Sequence, residues 1–191
     1  MKYVSFRVAA TRPKCTFILS LFLTLVSLAD AEESVWKDQE GRSAPNTESR
    51  ASKNDFGGWL VVTPDADWKQ KWETSPDTIP YFSTSSTVEK GKQLFILIFF
   101  VNPDLDDNHN ADVTYDIESV RPDGSFSIKQ KDVVCLRGKL EGNSYYLRLA
   151  PSIIKFVGEP KDLPGKWTVH VTLKDNRRSV ELPLKTSFTL K

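Results

Sequence analysis

Six oxygen-bearing side chains fall within nine residues: Asp104, Asp106, Asp107, Asn108, Asn110 and Asp112. Hard cations such as calcium take six to eight such oxygens, so Asp104, Asp106, Asn108, Asn110 and Asp112 are the candidate metal ligands. Counted as an EF-hand loop from Asp104, positions 1, 3, 5, 7 and 9 all carry Asp or Asn. Position 6 is His109 where that loop needs glycine, and position 12 is Tyr115 where it needs a bidentate glutamate. The competing reading is a solvated loop whose Asx residues favour turns.

A second pattern is Trp68 and Trp72, four residues apart behind Asp65. An N-cap at Asp65 and this spacing predict a helix of about two turns near 65–73 with both indoles on one face. The pair could form an aromatic platform for a sugar ring or a protein partner, so both are candidate binding residues. It could equally cover an apolar strand. The remaining chemistry is thin. Cys135 lies between Val134 and Leu136, which reads as a buried thiol, and only His109 and His170 could activate it. No GxSxG, HExxH, paired CxxC or glycine-rich phosphate loop occurs. The sequence therefore predicts no catalytic residues, no zinc site and no enzyme.

The elements that must position these residues start after a leader. Lys2, Arg7, Arg12 and Lys14 precede a mainly apolar stretch from Cys15 to Leu28, and Ala29-Asp30-Ala31 follows. That order is the signature of a secretory signal peptide over residues 1–31, whose 14-residue apolar stretch is short of the about 20 residues a membrane span needs. Cleavage after Ala31 leaves 160 residues with 22 Lys and Arg against 24 Asp and Glu. That near-neutral balance argues against nucleic acid, and no transmembrane segment is expected in the mature chain. One cysteine and no Asn-x-Ser/Thr acceptor remain, which points to a secreted or periplasmic bacterial protein.

Residues 32–55 contain only Val35 and Trp36 as large apolar residues. The rest is charged or Ser/Thr/Asn-rich, so a disordered linker is expected there, with the ordered domain running over 56–191. Gly57-Gly58 reads as a flexible entry to a strand ending at Pro64. Leu94 to Val101 is eight apolar residues in a row, a central strand buried on both faces. Such a strand needs a cover on its outer face, and 59–72 is the nearest apolar material. Arg121-Pro122-Asp123-Gly124 is a turn: proline fixes φ, and glycine takes positive φ. Alternation from Trp167 to Lys174 and from Val180 to Leu190 marks two antiparallel strands. Pro183 lacks an N–H and places the second at an edge or a bulge. The expected fold is all-β, an antiparallel β-sandwich of seven to nine strands with one short helix.

Asp162-Leu163-Pro164-Gly165-Lys166-Trp167-Thr168-Val169 resembles the corner before the penultimate strand of immunoglobulin-like domains. It departs from them in two ways. Trp167 stands where tyrosine is usual, so the corner hydroxyl bond is lost, and no cysteine pair pins the sheets. With the turn at 121–124, the stretch 93–191 is similar to single-domain exported bacterial proteins of an uncharacterised family. The resemblance implies an immunoglobulin-like sandwich and carries no activity with it. The function expected is a non-enzymatic protein-interaction module of the bacterial envelope or extracellular space, binding an unidentified protein partner. The alternative is a carbohydrate or small-ligand binding domain, assisted by calcium, with a glycan on the tryptophans.

Overall fold

The computed structural model describes residues 34–38, 40–74 and 80–191. The expected signal peptide over 1–31 lies outside the described residues. Ten strands and one helix follow in order. They are β1 (Arg50–Lys53), β2 (Phe56–Thr63), α1 (Trp68–Trp72), β3 (Thr87–Val88), β4 (Gln93–Val101) and β5 (Asn110–Val120), then β6 (Phe126–Lys139), β7 (Arg148–Leu149), β8 (Ile154–Val157), β9 (Gly165–Asp175) and β10 (Val180–Leu190).

The strands form two sheets. Sheet one runs β1-β2-β4, and both β7 and β8 pair with the far side of β4. Sheet two runs β3-β10-β9-β5-β6. All pairings are antiparallel except β3 with β10, which is parallel. The chain thus crosses between the sheets from β4 to β5 and back from β6 to β7, the Greek-key habit of an immunoglobulin-like sandwich.

Period-two alternation builds the core. Leu94, Ile96, Ile98 and Phe100 of β4 face Trp167, Val169, Val171 and Leu173 of β9 and Leu182, Leu184 and Phe188 of β10 in one buried cluster. The sheets approach closely at Gly58, where a Cβ would stand 2.9 Å from both Leu173 Cδ2 and Leu184 Cδ1. Gly57 serves the opposite face, where a Cβ would lie 2.5 Å from Val35 and 2.6 Å from Val101. The glycine pair is therefore required by space on both faces of β2, and not for flexibility.

Pro183 behaves as its chemistry demands. The N–H groups of Lys185 and Thr189 donate away from β9, to Glu48 O and Ser86 O. Pro183 shares their parity, so its missing N–H falls on the open side of β10, where β3 reaches only Thr189 and Leu190.

Residues 34–55 correct the expectation of a disordered linker. Trp36 anchors the segment: its Nε1–H donates to Ala51 O at 2.9 Å, and its ring meets Trp59 edge-on at 6.3 Å. Ser34, Ser43, Asn46 and Ser52 hydrogen-bond across the same segment. β1 pairs with β2 through a two-residue turn in which Asn54 and Asp55 both take positive φ. That is a tight hairpin turn suited to Asn and Asp. The polar composition hid it because these residues satisfy one another and the backbone, and a few apolar side chains, Val35, Trp36 and Ala44, supply the anchor.

The corner before β9 holds a second correction. Trp167 is buried, and its Nε1–H donates to Leu163 O at 3.1 Å. The bond that a tyrosine hydroxyl would make is thus made by an indole. Gly165, at φ +122°, brings the corner against Pro122 of the 121–124 turn. Trp167→Phe removes the donor and trims a buried ring that packs on Phe156 and Phe188. We expect a loss of about 2–3 kcal/mol, read as a lowered urea midpoint with an unchanged slope.

Candidate functional site

Inward residues of β4 build the sandwich, so Phe95, Leu97 and Phe99 must project from the other face of sheet one. They are buried there, in a second cluster with Val61 and Phe82. Helix α1 supplies the lid. Trp68 packs on Phe95 at 6.1 Å between ring centroids, and Trp72 on Phe99 at 5.3 Å. Phe99 is also touched by Trp59 at 5.7 Å and Phe82 at 5.9 Å. The structure therefore brings the two candidate tryptophans together over an apolar strand, each ring tilted against a phenylalanine.

A five-residue helix has little stability of its own. The expected N-cap at Asp65 is displaced: α1 begins after Asp67, and no side chain caps it. Asp65 instead ties the lid down. Its carboxylate accepts from Lys71 Nζ at 2.6 Å and from Ser83 N–H at 2.8 Å, joining helix to the following chain. Burial pushes the Asp65 carboxyl up, but the bonds from Lys71 and Ser83 outweigh it and hold it below the usual carboxylate range. Lys71 moves the opposite way, held charged chiefly by its bond to Asp65.

The lid is incomplete. Trp59, Trp68, Trp72, Leu147, Leu149 and Ile153 all stay only partly buried. Tyr81, next to the buried Phe82, is 81% exposed. Nothing in the sequence marked Tyr81, because its exposure is set by Phe82 turning inward beside it.

The acidic loop is put together differently. Asp106 Oδ1 accepts from the N–H groups of Asn108 and Asn110, and Oδ2 accepts from Asn110 Nδ2. The bonds from Asn110 hold the Asp106 carboxyl below its usual range. Asp112 turns away to Arg137 Nε and Asn176 Nδ2, both at 3.2 Å. Asp104 uses its backbone N–H, donating to Asp175 Oδ2 at 2.8 Å. Among the described residues, no three His, Cys, Asp or Glu are grouped as cation ligands would be. Asp106, Asn110 and Asp112 thus use their side chains as turn and cross-strand partners, while Asp104 and Asn108 take part through their backbone N–H groups. Asp175, which reads as an ordinary turn residue in the sequence, is fully buried and binds the loop to the β9–β10 turn.

Cys135 lies at a bulge between β5 and β6, buried on the core side. Burial pushes its thiol up to about 12. His170 is exposed on the other side of sheet two, and His109 is exposed in the loop. Neither is placed to deprotonate Cys135.

No family model matches the chain, and no curated protein matches it. Among solved structures it is similar to a Niemann-Pick type C2 protein from Japanese carpenter ant (9% identity, 78% of this chain, 96% of that one, TM-score 0.38). It is similar also to a CARDB domain from Pyrococcus furiosus, solved in complex with di-metal ions (7%, 76% and 97%, 0.37). A third likeness is to an alkylpurine DNA glycosylase from Pseudomonas fluorescens bound to DNA (16%, 69% and 29%, 0.34), of which the chain spans under a third. At these scores the likenesses assign neither family nor activity.

Two outcomes test this arrangement. Asp65→Asn removes a carboxylate whose folded pKa is lowered, so its contribution is fully present above the unfolded value of about 3.9 and is lost as pH falls through the folded one. The gap in urea midpoint between native protein and variant should be largest near neutral pH and close in acid. Cys135 should resist iodoacetamide at about pH 8, having on the order of a thousandfold less thiolate than a free cysteine, and react fully in urea.

Proposed function

We propose that this chain is a non-enzymatic protein-interaction module, exported to the bacterial envelope or extracellular space. Its contact surface is the aromatic outer face of sheet one. One observation carries the reading. The lid over β4 leaves Trp59, Trp68 and Trp72 partly exposed in one apolar area, with Tyr81 standing free beside it. An apolar area gathered on one face, and not scattered singly, is the usual mark of an interaction surface. Tyrosine and tryptophan are the residues such surfaces favour.

The rest of the molecule is in keeping with this. The thiol is buried and held protonated, the two histidines are on separate surfaces, and of the 104–112 carboxylates Asp106 is engaged in its own turn and Asp112 with Arg137 and Asn176. No helix among the described residues is long and apolar enough to cross a membrane. Export rests on the basic start, the apolar run and Ala29-Asp30-Ala31.

The test uses the full chain in its own cells, with a photo-crosslinking amino acid at position 81 and, as a control, at Lys166 on sheet two. The exported protein should begin at Glu32 by mass spectrometry. A recurrent protein adduct should form from position 81 and not from 166. Equal adducts from both positions, or none, would remove the aromatic face as a contact surface.

A further inference from the structure

On one side of the sandwich the edges of the two sheets do not meet. β8 ends sheet one there and β6 ends sheet two. Between them lies a cleft of about 380 Å³. Its floor is the buried Trp167, and its walls include Ile128, Ile154 and Phe156, all only partly buried.

The cleft adjoins unpaired backbone. Gly158 N–H donates to Lys92 O at 3.0 Å, next to the β8–β4 ladder. In antiparallel alternation, Phe156 and Ile154 then also direct their backbone groups to β4. Lys155 and Val157 direct theirs outward, where no strand of the described residues pairs with them. Val157 is 41% exposed. The edge of β6 is protected in a way that β8 is not: three register shifts interrupt its pairing, and Lys129, Lys131 and Asp132 line it.

Charge selects among occupants. Lys155 and Arg121 border the cleft, and neither forms an ion pair among the described residues. Lys155 Nζ lies over the Phe95 ring, and the Arg121 guanidinium lies over Trp167. The acids of the rim are engaged: Glu159 with Lys161 at 3.0 Å, and Asp162 with Glu159 N–H at 2.9 Å. Asp123, which feels the Arg121 charge, accepts from Ser125 N–H and Oγ.

We propose that β8 accepts an extended segment of a protein partner as an added strand, one in which apolar and acidic residues alternate. Its apolar side chains enter the cleft beside Phe156 and Ile128, and its acids lie on the outer face next to Lys155. This rests on the reading of the chain as a protein-interaction module and gives the partner's chemistry. Phe95 touches both Trp68 and Lys155, so the edge is continuous with the aromatic face. Strand addition satisfies the free backbone groups and the open cleft together. A small apolar molecule would satisfy only the cleft.

The probe is an acetylated, amidated hexapeptide of alternating valine and glutamate, titrated into the ¹³C,¹⁵N-labelled protein. The amides of Lys155 and Val157 should shift and become slow to exchange. The same peptide N-methylated along its pairing edge should bind about tenfold more weakly, as should the valine–lysine peptide. Lys155→Glu should reverse that charge preference. Because N-methylation alters only the peptide, a misfolded variant cannot account for its effect. Unmoved amides at 155 and 157, indifference to N-methylation, or shifts confined to Ile128 and Phe156 side chains would overturn strand addition. If the adduct from position 81 persists in that case, the interaction module stands without this site. If the adduct is also absent, both fall.

Discussion

Most of this structure follows from the need to cover both faces of β4. A strand of eight consecutive apolar residues cannot leave either side in water without inviting edge-to-edge or face-to-face association. Its inner side is solved in the ordinary way, by a second sheet whose β9 and β10 present alternating apolar side chains. Its outer side has no third sheet. There the chain uses four aromatic residues from three separate places: Trp59 on β2, Trp68 and Trp72 on α1, and Phe82 in the chain that follows. Trp36 extends this cover by packing on Trp59, which is why the polar segment before β1 is held at all.

Covering a sheet with rings from short segments has a structural cost, because such segments do not hold themselves in place. Polar staples supply the missing order. Asp65 fastens α1 to Lys71 and Ser83. Asn102, at positive φ, donates to Asp55 O and accepts from Ser144, joining the β1–β2 turn to the loop before β7. Buried Asp175 holds the 104–110 loop and Arg178 together. Each staple spends a charged or amide group that could otherwise be read as a ligand. The richness of Asp and Asn along the chain is therefore explained mainly by turn geometry and by backbone N–H groups that need acceptors.

The parts of the fold that were legible in the sequence are those governed by local periodicity and backbone chemistry. The unbroken run of β4, the alternation of β9 and β10, the turn at 121–124 and the open side implied by Pro183 all appear where expected. The covering role of Trp68 and Trp72 was legible as well, since it follows from what β4 requires. What stayed hidden depends on distant partners. The order of residues 34–55 needs Gly57, whose lack of a Cβ admits Val35. The corner bond of Trp167 needs Leu163 O to lie within reach of an indole nitrogen, which no alternation pattern encodes. The partners of the acidic loop were equally hidden: spacing does not tell that Asp106 binds back to its own turn while Asp112 meets Arg137 and Asn176.

The same limits bear on where function can reside in such a molecule. Asp65, Asp106 and Asp175 are tied to neighbouring backbone and side chains and the thiol is buried, whereas the outer rings of sheet one and the outer edge of β8 stay open. Rings and edges recognise by area and by backbone pairing, which is the chemistry of protein recognition more than of bond breaking. Their arrangement here is not accidental to the fold. The outer rings exist because β4 needs a lid. The free edge exists because β8 is the outermost strand on its side of sheet one, so that among the described residues no strand pairs with the outward backbone groups of Lys155 and Val157. Both features lie on sheet one, joined at Phe95, so the constraint that shapes the core also concentrates the unengaged surface on one side.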